Sequence, residues 1–277
     1  MNQVRTHSMN DASAADRYDP SRWDPNSTRK LLDSARPVGK HWFRWEVRGM
    51  ESFPRSGGVL TVSNHSGGIL TLDTVTFSSA YYDRFGYDRP VLTLGHDALF
   101  TGPIGDWVSR IGLIPAHRAV ATQALQSGAV VLVFPGGVYD AYRPTLRANV
   151  VDFNGRTGYV ATALAAGAPI VPVVSIGGQQ SQLFLTRGTW LAKRLGLERF
   201  RSDILPISVG FPFGVSAVVP INLPLPTKIV TQVLAPIDVA TQFGPDPDVA
   251  EVDAHVRAVM QSALNELAEQ RRLPVLG

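Results

Sequence analysis

Cysteine is absent from the 277 residues, and lysine is scarce: it stands only at 30, 40, 193 and 228, so 22 of the 26 basic residues are arginine. Without a thiol, disulfide frameworks, cysteine nucleophiles, thiolate-held zinc and iron–sulfur clusters are all excluded. No stretch of about 18 apolar residues occurs, which leaves no candidate for a transmembrane helix. The first 20 residues lack the apolar segment of a secretory signal. Neither a G-x-G-x-x-G fingerprint nor a P-loop is present, which argues against a nucleotide-binding enzyme. The G-x-S-x-G elbow of serine hydrolases is missing too.

What remains is an ordinary folding chain with a basic bias. Hydrophobic residues make up 44% and charged residues 18%, enough apolar material for one large core and too much for global disorder. A net charge of +3 is too small to argue for nucleic acid, and no nucleic-acid motif accompanies it. The arginine bias fits either a GC-rich coding sequence or a surface that meets phosphate.

Residues 1–26 are polar, with Asp-Pro at 19–20 and 24–25, and read as a mobile arm. Ser27 reads as the cap of a short helix that Pro37 and Gly39 interrupt. From Trp45 onward, short apolar runs bounded by glycine and proline predict strands at 45–48, 58–63, 90–94, 111–114, 130–134, 170–175 and 228–234. Helices are expected at 73–85, 119–127 and 156–166, the last two closed by Gly128 and Gly167. The alternation predicts a single α/β domain over 27–277, with a mixed, mostly parallel sheet flanked by helices and preceded by a basic-aromatic helical arm. The runs at 130–134 and 170–175 are apolar throughout, as strands buried on both faces are. Val249, Val252, Val256, Met260, Leu264 and Leu267 recur at helical spacing and predict a C-terminal amphipathic helix over 247–272.

Four local features could carry chemistry. The first is Asn64-His65-Ser66-Gly67-Gly68, followed by Asp73. It puts His65 just past a strand end and before a helix, where open α/β sheets bind ligands. Paired glycines let backbone approach a substrate. An imidazole can take a proton near neutral pH, and Asp73 could hold its other nitrogen. The second is Phe134-Pro135-Gly136-Gly137, whose backbone N–H groups could meet an anionic oxygen, with Asp140 and Arg143 close behind. The third is Arg118, ahead of a helix and suited to phosphate; beside it His117 reads as a surface residue. The fourth, Gly167 to Ser175, reads as scaffold.

In this order the four features resemble the glycerolipid acyltransferase family, the lysophospholipid acyltransferase superfamily, and within it the monoacylglycerol/diacylglycerol acyltransferase-like branch. The resemblance spans about Trp45 to Asp238. It implies a His–Asp pair that activates an acceptor hydroxyl, with His65 as the base. Two departures stand out. The commonest family spacing would put the acid at Leu70, and Asp73 is the first acid available. The family's Phe-Pro-Glu-Gly motif has Gly136 where the glutamate would be, leaving Asp140 or Arg143 as substitutes. The resemblance further implies an acyl-CoA or acyl carrier protein donor, a lysophospholipid or mono- or diacylglycerol acceptor, and neither a permanently bound cofactor nor a metal. It groups Asn64, Ser66, Gly67, Gly68, Arg118, Pro135, Gly136, Gly137, Asp140 and Arg143 as substrate-binding.

Such substrates reside in membranes. Trp42, Phe43 and Trp45 among basic residues, and Trp190 with Lys193 and Arg194 in the basic segment 183–201, predict contact with an anionic leaflet. Phe211 and Phe213 are further candidates for insertion there. The expected location is the cytoplasmic face of the plasma membrane. Two other readings stay open: a non-catalytic lipid-binding protein of the same fold, and a lipid esterase.

Overall fold

The computed structural model describes residue 19 and residues 22–197, 203–273 and 275–277. Among these lie ten strands: β1 (Glu46–Arg48), β2 (Val59–Ser63), β3 (Val91–Gly95), β4 (Leu113–Pro115), β5 (Val130–Val133), β6 (Ile170–Ile176), β7 (Leu183–Thr186), β8 (Ile207–Gly210), β9 (Gly214–Ala217) and β10 (Val230–Val233). Seven of them form one sheet in the order β1-β10-β6-β2-β5-β3-β4. From β6 to β4 every pairing is parallel. β10 runs antiparallel to β6, and β1 runs parallel to β10.

The helices are α1 (Pro25–His41), α2 (Leu72–Phe85), α3 (Gly102–Arg110), α4 (Arg118–Gln126), α5 (Gly137–Ala141), α6 (Gly158–Ala166), α7 (Gly178–Ser181), α8 (Thr189–Arg194), α9 (Val239–Phe243) and α10 (Val249–Gln270). They cover both faces of the sheet, and the strand period of two sorts the core accordingly. Leu60 and Val62 of β2 join Val131, Ile170 and Val174 in a cluster with α4, α6 and the Val256, Met260 and Leu264 stripe of α10. Val59, Val130, Leu132, Val171 and Val173 point the other way, onto Phe53 and onto Phe77, Tyr81 and Tyr82 of α2. Central strands are apolar at nearly every position because helices wait on both sides.

Each expected strand is present within two residues of its ends. The N-terminal segment differs. Asp24, not Ser27, caps α1, its carboxylate accepting from the N–H groups of Asn26 and Ser27, with Pro25 in the first turn. Pro37 lies inside this helix and does not end it, although it cannot donate the usual bond to the preceding turn. The arm expected at 1–26 lies mostly outside the described residues, but its last part is packed. Trp23 stacks on Tyr82 at 6.4 Å, and Arg22 pairs with Asp106.

The segment 183–201 departs furthest from expectation. Its described part enters a second sheet, β7-β8-β9, antiparallel throughout, followed by the short α8. Residues 198–202, at the end of the expected basic segment, lie outside the described residues.

Candidate active site

The site is assembled where β2 and β6 end. Asn64, one residue beyond β2, turns its amide onto β6. Nδ2 donates to the Ser175 carbonyl at 2.9 Å, and the Ser175 N–H donates to Oδ1 at 2.8 Å. This clamp sets the direction in which the chain leaves the sheet and puts His65 at the carboxyl end of the parallel strands.

His65 is held at three points. Its backbone N–H donates to Asp140 Oδ2 at 2.7 Å. Its Nδ1 lies 2.7 Å from Asp73 Oδ2. Its ring stacks on Phe134 with centroids 4.2 Å apart. The side chain keeps 14% exposure, and Nε2 has no hydrogen-bond partner among the described residues. With Nδ1–H donated to the carboxylate, the neutral ring leaves Nε2 unprotonated.

The eight-residue separation of His65 and Asp73 follows from the turn between them. Gly67 and Gly68 have φ of +87° and +61°, and residues Gly68–Leu70 make one tight turn before α2. The chain doubles back, so Asp73 in the first turn of α2 faces the ring. The same Oδ2 accepts the Ser66 N–H at 2.8 Å, and Oδ1 accepts the Thr74 N–H at 2.8 Å. A Cβ on Gly68 would sit 2.8 Å from Phe184 Cζ. Gly68→Ala is therefore expected to cost about 1–2 kcal/mol and to reduce whatever turnover depends on His65; urea denaturation beside a rate assay checks both.

The loop after β5 supplies the rest. Asp140 on α5 forms a buried ion pair with Arg143, Oδ1 to Nη2 at 2.6 Å. Gln179 Nε2 donates to the Arg143 carbonyl. A Cβ at Gly136 would lie 2.5 Å from Asp140 Cβ, so the Asp140 side chain fills the space that one at 136 would need. The Gly137 N–H is already used, donating to the Phe134 carbonyl at 2.9 Å. The Gly67 N–H makes only a long 3.5 Å bond to Gln179 Oε1.

Electrostatics favour a poised base. Burial pushes the His65 pKa down, but the Asp73 charge and hydrogen bond, helped by the Asp140 charge, push it up by more, and the net shift is upward from the ordinary histidine value.

Several residues grouped as substrate-binding lie elsewhere in the architecture. Asn64, Asp140 and Arg143 are buried, and their polar atoms are engaged within the protein, where they hold His65 and its loop. Ser66, Pro135 and Gly136 are buried, and Gly67 and Gly68 form the turn before α2. Arg118 is exposed at the start of α4, with Nη2 beside Gly158. His117 pairs with Asp97 at 3.0 Å.

Of the expected membrane-facing aromatics, Phe43 is a correction: only 2% of it is exposed, because its carbonyl pairs with Ile229 and draws it into the core edge. Trp45 packs on Gly39. Trp42 is half-exposed and donates to the Pro224 carbonyl. Trp190, Lys193 and Arg194 are exposed on α8. Three residues escape the sequence reading: Phe134 as the stacking partner, Gln179, and Arg156, whose Nη1 reaches the Pro135 and Gly136 carbonyls at 3.3 Å. Only proximity in space reveals them. No group of three or more His, Asp or Glu among the described residues could hold a metal ion.

Residues 44–176 match the family model described as Acyltransferase. Over these residues the chain is similar to that acyltransferase family. An uncharacterised protein of Mycobacterium tuberculosis strain H37Rv is 35% identical over 246 residues, covering 84% of this chain. The chain spans 64% of that relative's length. A bovine protein named DGAT1/2-independent enzyme synthesizing storage lipids is 25% identical over 92% of this chain and 74% of its own. Mouse diacylglycerol O-acyltransferase 2-like protein 6 is 26% identical over 76% of this chain and 65% of its own. The crystal structure of the 1-acyl-sn-glycerophosphate (LPA) acyltransferase PlsC of Thermotoga maritima shares the fold of this chain, with a TM-score of 0.53 at 17% identity over 87% of this chain and 81% of that one.

Proposed function

We propose that this acyltransferase moves a fatty acyl group from a thioester, acyl-CoA or acyl carrier protein, to a hydroxyl of a lysophospholipid or a mono- or diacylglycerol at an anionic membrane surface on the cytoplasmic side. One observation carries the reading: His65 Nδ1 lies against Asp73 at the carboxyl end of the parallel strands, with Nε2 unpartnered among the described residues.

The chemistry follows from that geometry. Nε2 takes the proton of the acceptor hydroxyl as its oxygen attacks the thioester carbonyl. The imidazolium is stabilised by Asp73, and the oxyanion by backbone N–H groups of the glycine turns, the weakly used Gly67 N–H among them. Collapse breaks the C–S bond, and the leaving sulfur recovers the proton from Nε2. No covalent enzyme intermediate and no resident cofactor take part.

The displaced acid and the missing glutamate, which kept a non-catalytic reading open, have structural counterparts in the Gly67–Gly68 turn and in Asp140. An esterase would need an activated serine, and Ser66 Oγ is buried without a hydrogen-bond partner among the described residues. Purified protein incubated with labelled acyl-CoA or acyl carrier protein and a panel of acceptors, with lipid product analysis, tests the proposal. Free fatty acid as the sole product would favour the esterase, and no product across the panel would refute transfer.

The pH profile gives a sharper check. The base works only when neutral, and its pKa is raised, so kcat/KM is expected to rise through a limb above the ordinary histidine value. Asp73→Asn removes both contributions of Asp73 and leaves burial, which lowers the pKa. The limb then moves to lower pH while the plateau falls by about 10–100-fold, less than the loss of the ring itself. A limb that stays in place would remove Asp73 from the role.

A further inference from the structure

The small sheet is built inside out. An antiparallel sheet packed on a core normally turns apolar residues inward and polar ones to water. Here Leu183, Val209 and Val215 stand in register across β7, β8 and β9, and this row faces outward. Leu185 and Val215 are 59% and 71% exposed. The inward row is Phe184, Ser208 and Ser216, with the two serine hydroxyls 3.1 Å apart and Asn222 Nδ2 donating to Ser216 Oγ at 3.1 Å.

The loops extend the apolar face. At the β8–β9 turn Phe211 and Phe213 are 74% and 54% exposed, and Val219 and Leu223 follow at 66% and 61%. Residues 204–227 contain no charged side chain. An exposed apolar surface of this continuity marks a contact site.

We infer that the outer face of the β7-β8-β9 sheet is the surface by which this chain inserts into an anionic lipid bilayer. The inference rests on the proposed glycerolipid chemistry for its choice of partner, and on charge for the kind of lipid. Two residues separate β7 from α8, which carries exposed Trp190 and ends in exposed Lys193 and Arg194. Asp203 is the only acidic residue described between 178 and 227. Apolar and aromatic side chains flanked by basic ones match the interfacial region of an anionic leaflet.

The placement also has a use. Phe184, on the inner side of β7, abuts Gly68 of the catalytic turn and meets Tyr142 edge-on at 5.4 Å. Lipid held on the outer side is thus separated from the His65 turn by little more than one sheet layer, about 10 Å.

The test is cosedimentation with vesicles of phosphatidylglycerol in phosphatidylcholine, against vesicles of phosphatidylcholine alone. The parent chain is expected to bind the anionic vesicles more tightly. Leu185→Asp combined with Val215→Asp should weaken binding to both by tenfold or more. Thermal unfolding should be unchanged, since both side chains are exposed. Lys193→Glu combined with Arg194→Glu should weaken only the anionic preference, each basic residue near such a surface being worth about fivefold. Binding is read without turnover. A chain that binds vesicles but transfers no acyl group defeats the enzymatic reading and leaves this one standing. Unaltered vesicle binding in the double aspartate variant overturns the inference. So does a concentration-dependent dimer in the parent that this variant abolishes, because the face would then be a contact between copies.

Discussion

Replacing His65 by alanine is expected to lower acyl transfer by about 10²–10⁴, with thermal unfolding close to that of the parent. The separation of the two effects comes from how the neighbours are satisfied. Asp73 does not depend on the ring: its carboxylate still accepts the N–H groups of Ser66 and Thr74, so no buried charge is stranded. The backbone N–H of residue 65 keeps its bond to Asp140. Phe134 loses one stacked ring, which is a small packing loss. Paired rate and melting measurements decide the matter, and near-parental turnover would end the assignment of His65 as the base.

Asp140→Ala should act mainly on stability. Arg143 is buried, and after truncation its guanidinium would keep only the Asp152 carbonyl at 3.3 Å. Removing one member of a buried pair costs about 3–5 kcal/mol, because the other charge is left uncompensated. That is a large share of the roughly 5–15 kcal/mol that holds a domain together. Urea denaturation should show it as a lowered midpoint. Arg143→Met added to Asp140→Ala should recover much of the stability, as apolar replacement of a buried pair often does. Turnover should stay low in the double variant, since the His65 N–H still lacks its acceptor. A single variant within 1 kcal/mol of the parent would show the pair to be unimportant for folding. A double variant with parental turnover would show that Asp140 does not position His65.

The parts legible in the sequence are those where local pattern and burial agree. Strands β2, β5 and β6 read clearly because helices on both faces demand apolar residues at every position. The stripe from Val252 to Leu267 reads clearly because one helix face meets the sheet. His65 could be placed because a strand, a pair of glycines and a helix follow one another without interruption. What escaped lies across space or against the usual pattern. The bond from the His65 N–H to Asp140 joins residues 75 apart, and no spacing announces it. Arg156 reaches the site from a loop and Gln179 from the four-residue α7, both of unremarkable composition. Strands β7 to β9 are four residues each and alternate with the wrong face apolar, so 183–201 reads as a basic-aromatic segment and not as the start of a sheet. Phe43 misled because aromatic residues beside arginine look alike whether they pack inward or outward. Asp24 was hidden as a cap by the Asp-Pro pair, which reads first as a loop.

The crowding at Gly136 makes two positions depend on each other. A side chain at 136 would have to push aside the Asp140 side chain, whose carboxylate accepts the His65 N–H. Enlarging residue 136 therefore acts on the base at one remove, through its backbone and not through its ring.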